Sequence, residues 1–92
     1  MQAAVDLQIE NARTRVTRYR LAPGGSTGHH RHAYDYVIVP VTSGRLRVVA
    51  DGKEIFADLT QGVAYFRESG VEHEVFNAGP GDMVFVEVEL VR

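Results

Sequence analysis

The 92-residue sequence has no cysteine and no tryptophan. Without cysteine there are no disulfides, no thiolate metal site, no iron–sulfur cluster and no thiol nucleophile. Long apolar runs are also missing. None approaches the roughly 18 residues of a membrane-spanning helix, so no membrane partner is expected. Met1–Ile9 contains Asp6 and lacks both a basic start and a long apolar stretch. That argues against a secretory signal and predicts a cytoplasmic location. Nor is there a charge excess of either sign. Ten Lys+Arg against twelve Asp+Glu give a formal charge of −2, and the cations are scattered. Such a chain has no field to gather nucleic acid, and no nucleic-acid partner is expected. Helical periodicity is nearly absent.

The chain does hold 45% apolar and 24% charged residues. That is the balance of a globular domain rather than a disordered segment. Its length is that of one small domain spanning residues 1–92, and a domain this small gains from a partner subunit. Short alternating or β-branched runs are cut by glycine turns. Strands are predicted over Arg13–Leu21, His30–Val41, Arg45–Ala50, Lys53–Ala57, Val63–Phe66, Val71–Asn77 and Met83–Val91. Asp51-Gly52 between two of them is a strong hairpin signal, because both residues tolerate the positive φ of a type I′ turn. Pro40 lies inside the long His30–Val41 run, which predicts a bulge or an edge there. This spacing of short strands predicts an all-β sandwich or barrel. In Met83–Val91 the apolar Val84, Val86, Val88 and Leu90 share one face, and Glu87 and Glu89 read as a solvated one.

Three of the four histidines lie in Gly28-His29-His30-Arg31-His32. In a strand, His30 and His32 project together while His29 and Arg31 project the other way. Two imidazoles side by side can chelate a divalent cation, and His73 in a later strand can join them if the sheet closes. Tyr34 and Tyr36 continue the face of His30 and His32, so Tyr36 is aimed at a possible fourth-ligand position. Asp35, Glu72 and Glu74 are turned away by alternation. Set against this, His-x-His pairs are often surface or hydrogen-bonded sheet residues, and the two tyrosines can be core or rim aromatics.

The spacing resembles that of the cupin superfamily. Its first motif is matched by Gly24, five residues, His30-Arg31-His32, with Gly44 ending the strand. Its second is matched by Gly62, five residues, Glu68-Ser69-Gly70, two residues, His73, three residues, Asn77. Glu68 replaces the family's proline. Together the motifs run from Gly24 to Asn77, over half the chain, and the local pattern His-Arg-His-Ala-Tyr-Asp-Tyr-Val is similar to that of small single-domain bacterial cupins. The resemblance implies a double-stranded β-helix, a jelly-roll-like barrel, with His30, His32 and His73 binding one divalent metal ion per subunit: iron, zinc, nickel or manganese. The family's glutamate ligand is missing, and its slot falls on Tyr36 or Val37, depending on the count from His32.

Two classes of function follow from the resemblance. One is a metal-dependent enzyme on a small molecule, either a three-histidine iron dioxygenase or a Lewis-acid isomerase or lyase, with Tyr36 or Tyr34 donating a proton or a hydrogen bond. The apparent lack of a carboxylate in the pocket disfavours mechanisms that need an internal base. The other is a non-catalytic module that binds or senses a small molecule or a metal; a vestigial cluster is the blandest form of it. Val37, Val39 and Val41 lie opposite the histidines, and an apolar outer face predicts a two-fold homodimer with sheet-on-sheet packing.

Overall fold

The computed structural model describes residues 2–91, and within them the chain forms nine strands and no helix. They are β1 (Ala4–Glu10), β2 (Thr14–Leu21), β3 (His30–Arg31), β4 (Tyr36–Pro40), β5 (Gly44–Ala50), β6 (Lys53–Leu59), β7 (Tyr65–Arg67), β8 (Glu72–Asn77) and β9 (Met83–Leu90). A five-stranded sheet in the order β1-β2-β9-β4-β7 faces a four-stranded sheet in the order β3-β8-β5-β6. All the strand pairings are antiparallel. Asp51 and Gly52 have φ values of 53° and 70°, as the type I′ hairpin between β5 and β6 requires.

The expected long strand His30–Val41 is two strands in different sheets. The chain leaves β3 after Arg31, crosses between the layers over residues 32–35, and re-enters as β4. Pro40 is neither a bulge nor on an edge strand; it ends β4, fully buried. Its carbonyl accepts from the Gly62 N–H at 3.0 Å. A strand residue's N–H and C=O point the same way, so the absent donor lies on the side where β7, paired only to Tyr36–Ile38, has already ended. β1 is not among the predicted strands. Its Val5, Leu7 and Ile9 alternate with Asp6, Gln8 and Glu10, a strand pattern the sequence reading passes over, although all seven residues are exposed in the fold. It is held as a hairpin on β2, where the Asn11 side chain accepts from the Arg13 and Thr14 N–H groups at 2.8 and 2.9 Å, an ordinary use of asparagine in a turn.

Register sorts the inner face of the larger sheet into rows. Leu21 pairs with Met83, then Tyr19 with Phe85 and Pro40, then Thr17 with Glu87 and Ile38, then Arg15 with Glu89 and Tyr36. The first rows join Leu46, Leu59 and Val75 of the other sheet in a closed apolar core, where Leu21 and Met83 are almost wholly inaccessible. Asn77 ties this end shut. Its buried amide donates to the carbonyls of Leu21 at 2.9 Å and Gly81 at 2.8 Å and accepts from the Gly79 N–H. The later rows are polar and open. On the outer face Ile9, Val16, Val88, Val37 and Phe66 align in one apolar row across all five strands.

The assignment of faces on β9 is a correction to the sequence reading. Met83, Phe85 and Glu87 point inward, and the valines face out; Glu87 is 5% exposed rather than solvated. The error has a physical origin. The valine row is apolar because it belongs to the apolar outer face, so alternation alone cannot tell the core side from the other.

Candidate metal centre

β3 and β8 pair directly, with His30 opposite His73. That register sets two imidazoles side by side, and His32, just past β3, completes a triangle. Nε2 of His30 lies 3.0 Å from Nε2 of His32 and 3.1 Å from Nε2 of His73, and the last two are 3.1 Å apart. His32 is buried, and the other two are half-buried.

Protonation decides what this triangle is. The Nδ1 of His30 lies 2.9 Å from the Gly28 carbonyl. A carbonyl can only accept, so Nδ1 carries the proton and Nε2 a lone pair. Gly28 has φ of 77°, a conformation natural to glycine, which lets that turn fold back over the ring. The Nδ1 of His32 faces the Glu87 carboxylate at 3.8 Å, which favours the same tautomer. Two nitrogens that both present lone pairs 3.0 Å apart repel unless a cation lies between them. Burial first, and then the neighbouring imidazoles, push His32 and His73 down to about 4 from the ordinary 6.5, so both are neutral at pH 7. Neutral imidazole is the ligand form. The edges of the triangle match the spacing of adjacent donors in an octahedron with bonds of about 2.1 Å, whereas a tetrahedron with those bonds has edges of about 3.4 Å. The donor set therefore fits one divalent cation bound on one face, with further positions open.

The triangle opens into a small cavity of about 40 Å³, lined among others by Tyr19, Thr27, Tyr36, Tyr65, Phe85 and Glu87. This adjoins a wider mouth of about 290 Å³, where Arg15, Arg31 and Glu89 stand with Val5 and Thr17. Tyr36 reaches the cavity and stacks flat on His32, with ring centroids 3.9 Å apart and an interplanar angle of 18°. Burial, then the nearby Glu87 charge, pushes its phenol up to about 12, so it is neutral at pH 7. Tyr34 lies half-buried in the crossing between sheets and does not line this cavity. His29 pairs with Glu72 at 2.6 Å on the outside, and the Asp35 carboxylate accepts from the Ser69 N–H. Glu74 accepts from the Ser26 hydroxyl.

Sequence reasoning misses Glu87, Tyr19 and Tyr65, and the expectation that the pocket lacks a carboxylate is wrong. Burial, reinforced by Glu89 and opposed by Arg15, pushes Glu87 up to about 7, because a carboxylate taken out of water favours its neutral form. The signal available is weak: a glutamate two residues after Phe85 on a strand whose inward row begins with Met83.

A protein-family model described as "Cupin domain" matches residues 17–89, and the chain belongs to the cupin family. It is 48% identical over 89 residues, 97% of this chain and 94% of the relative, to the beta-alanine degradation protein BauB of Pseudomonas aeruginosa. It is 29% identical over 80 residues, 87% of this chain and 64% of the relative, to an oxalate-binding protein of Thermotoga maritima. The crystal structure of a cupin domain from Bordetella pertussis superposes with a TM-score of 0.96 at 45% identity, covering 99% of this chain and 95% of that one. The fold is the all-β double-stranded β-helix.

Proposed function

We propose that this cupin holds one divalent metal ion per subunit on His30, His32 and His73 and acts on a small carboxylate bound beside it. The observation that carries the reading is the triangle of Nε2 atoms, that of His30 fixed as a lone-pair donor by the Gly28 carbonyl on its Nδ1 and that of His32 favoured as one by the facing Glu87 carboxylate. When bound, the metal supplies a Lewis acid or, as iron(II), a centre for oxygen chemistry. The chain's own residues do the rest. The inner cavity admits only a small group; Arg15, ion-paired to Glu10 and Glu89, and Arg31 line the mouth, and guanidinium groups suit carboxylate recognition. Tyr36, neutral and buried against His32, acts as a hydrogen-bond donor to bound ligand rather than as a fourth metal ligand. The similar proteins are named for beta-alanine and for oxalate, two compact carboxylates, which supports this ligand class.

Calorimetric titration of metal-loaded and metal-stripped protein with oxalate and beta-alanine tests the reading. Binding that needs the metal is expected, and equal affinity with and without it would contradict the proposal. A second reading, ligand binding without turnover, is favoured by the oxalate-binding relative; retention of unchanged ligand after long incubation distinguishes it. The apolar outer row from Ile9 to Phe66 supports a two-fold homodimer with these sheets packed face to face. Light scattering at micromolar concentration should give the mass of two chains, and the mass of one would refute the dimer.

A further inference from the structure

We propose that Glu87 is the positioning residue of His32: its carboxylate, delivered from β9, holds the Nδ1 edge of the imidazole and keeps Nε2 aimed at the centre of the triangle. The inference rests on the metal reading and extends it to a residue outside both histidine motifs.

The three imidazoles are not held alike. His30 is locked by the Gly28 carbonyl on its Nδ1, with the Thr27 hydroxyl 3.4 Å away. His32 lies beyond the end of β3, and its ring is fixed on one side by the stacked Tyr36. Stacking resists tilt but cannot tell a ring from the same ring turned over, because the face presented is equivalent. A turned ring would bring carbon where the donor nitrogen must be. What distinguishes the two orientations is an acceptor on the Nδ1 edge, and the Glu87 carboxylate stands there at 3.8 Å, with both side chains almost wholly buried. Metal-bound histidines depend on such outer partners for tautomer and orientation.

The placement is also costly in a way that asks for a purpose. Glu87 continues the inward row of Met83 and Phe85 and is flanked by Thr17 and Ile38. A purely structural residue there would be apolar, since a buried carboxylate is unfavourable unless compensated. The neutral His32 faces it with Nδ1 at 3.8 Å, and Arg15 is the one cation among the described residues whose charge acts on it. A cation on the far side of that imidazole would offset the cost.

The test compares Glu87→Gln and Glu87→Leu with the wild type in three ways: Zn(II) affinity by chelator competition, the Co(II) ligand-field spectrum, and thermal melting of the metal-free protein. Affinity should fall about 10–100-fold in Glu87→Leu and less in Glu87→Gln, whose amide keeps an oxygen able to face Nδ1. The Co(II) spectrum should shift. The metal-free variants should melt no lower than the wild type, because the change that weakens metal binding also removes a buried carboxyl group. Unchanged affinity and spectrum, in a wild type that binds metal, would overturn the positioning role. So would an affinity loss matched by a loss of metal-free stability, which would make Glu87 a structural residue. A wild type that binds no metal would sink the metal reading itself, and this inference with it.

Discussion

The inner face of the barrel has two ends, carried by the same strands and opposite in character. At the closed end Leu21, Met83, Pro40 and Leu46 exclude water, and Asn77 satisfies the turn carbonyls above them. At the open end His30, His32, His73 and Glu87 crowd polar atoms into a half-buried space where imidazole lone pairs face one another. The closed end follows the ordinary rule that buried polar groups are paired. The open end meets it only by setting imidazole nitrogens against one another, and functional sites are where such unusual arrangements concentrate. β9 runs through both, from Met83 and Phe85 in the core to Glu87 and Glu89 at the mouth.

If this division holds, changes at the two ends should separate cleanly. The largest effect is expected from His73→Ala, which removes one corner of the triangle. Metal content should drop from near one equivalent to none by elemental analysis, with the β-sheet circular dichroism retained. Metal retained in full would remove His73 from the ligand set. At the closed end, Leu21→Ala should cost about 2–5 kcal/mol in denaturant unfolding, the range for deleting a buried leucine side chain, with metal per folded subunit unchanged. Metal loss in the folded protein would show that the ends are coupled.

A smaller effect should appear with pH. His32 and His73 lie near 4 when folded against an ordinary 6.5 when unfolded, so between those values the unfolded chain binds more protons. Metal-free stability from this source is therefore full above the unfolded value and is lost as the pH falls toward the folded one. Denaturation midpoints at pH 7 and pH 5 should differ in that direction. His73→Ala should narrow the difference, and Leu21→Ala should leave it intact. Smallest of all, Tyr36→Phe should keep metal affinity within about twofold, because a stacked neutral phenol is not a ligand. A loss of metal would place its oxygen on the ion.

The same two ends explain what can be read in advance. The His30–His32 pair is legible because alternation puts both on one face; His73 is legible only through the spacing of the second motif, and the register of β3 on β8 sets it opposite His30. The Asp51-Gly52 hairpin is legible from local backbone chemistry alone. The break between His32 and Tyr36 is not, since residues 32–35 cross between sheets without a glycine or proline to mark the turn. β1 is legible in the alternation of Val5, Leu7 and Ile9 with Asp6, Gln8 and Glu10, and it is missed all the same. Glu87 is misassigned because both faces of β9 look plausible from sequence, one being core and the other an apolar outer row.

The central claim is that the three Nε2 atoms form a metal centre. Anomalous diffraction at the absorption edge of the metal found in the purified protein tests it most directly. The account predicts one strong peak per subunit about 2.0–2.2 Å from Nε2 of each of His30, His32 and His73. Crystals of fully metal-supplemented protein with no peak among those atoms, or with a peak elsewhere, would contradict it.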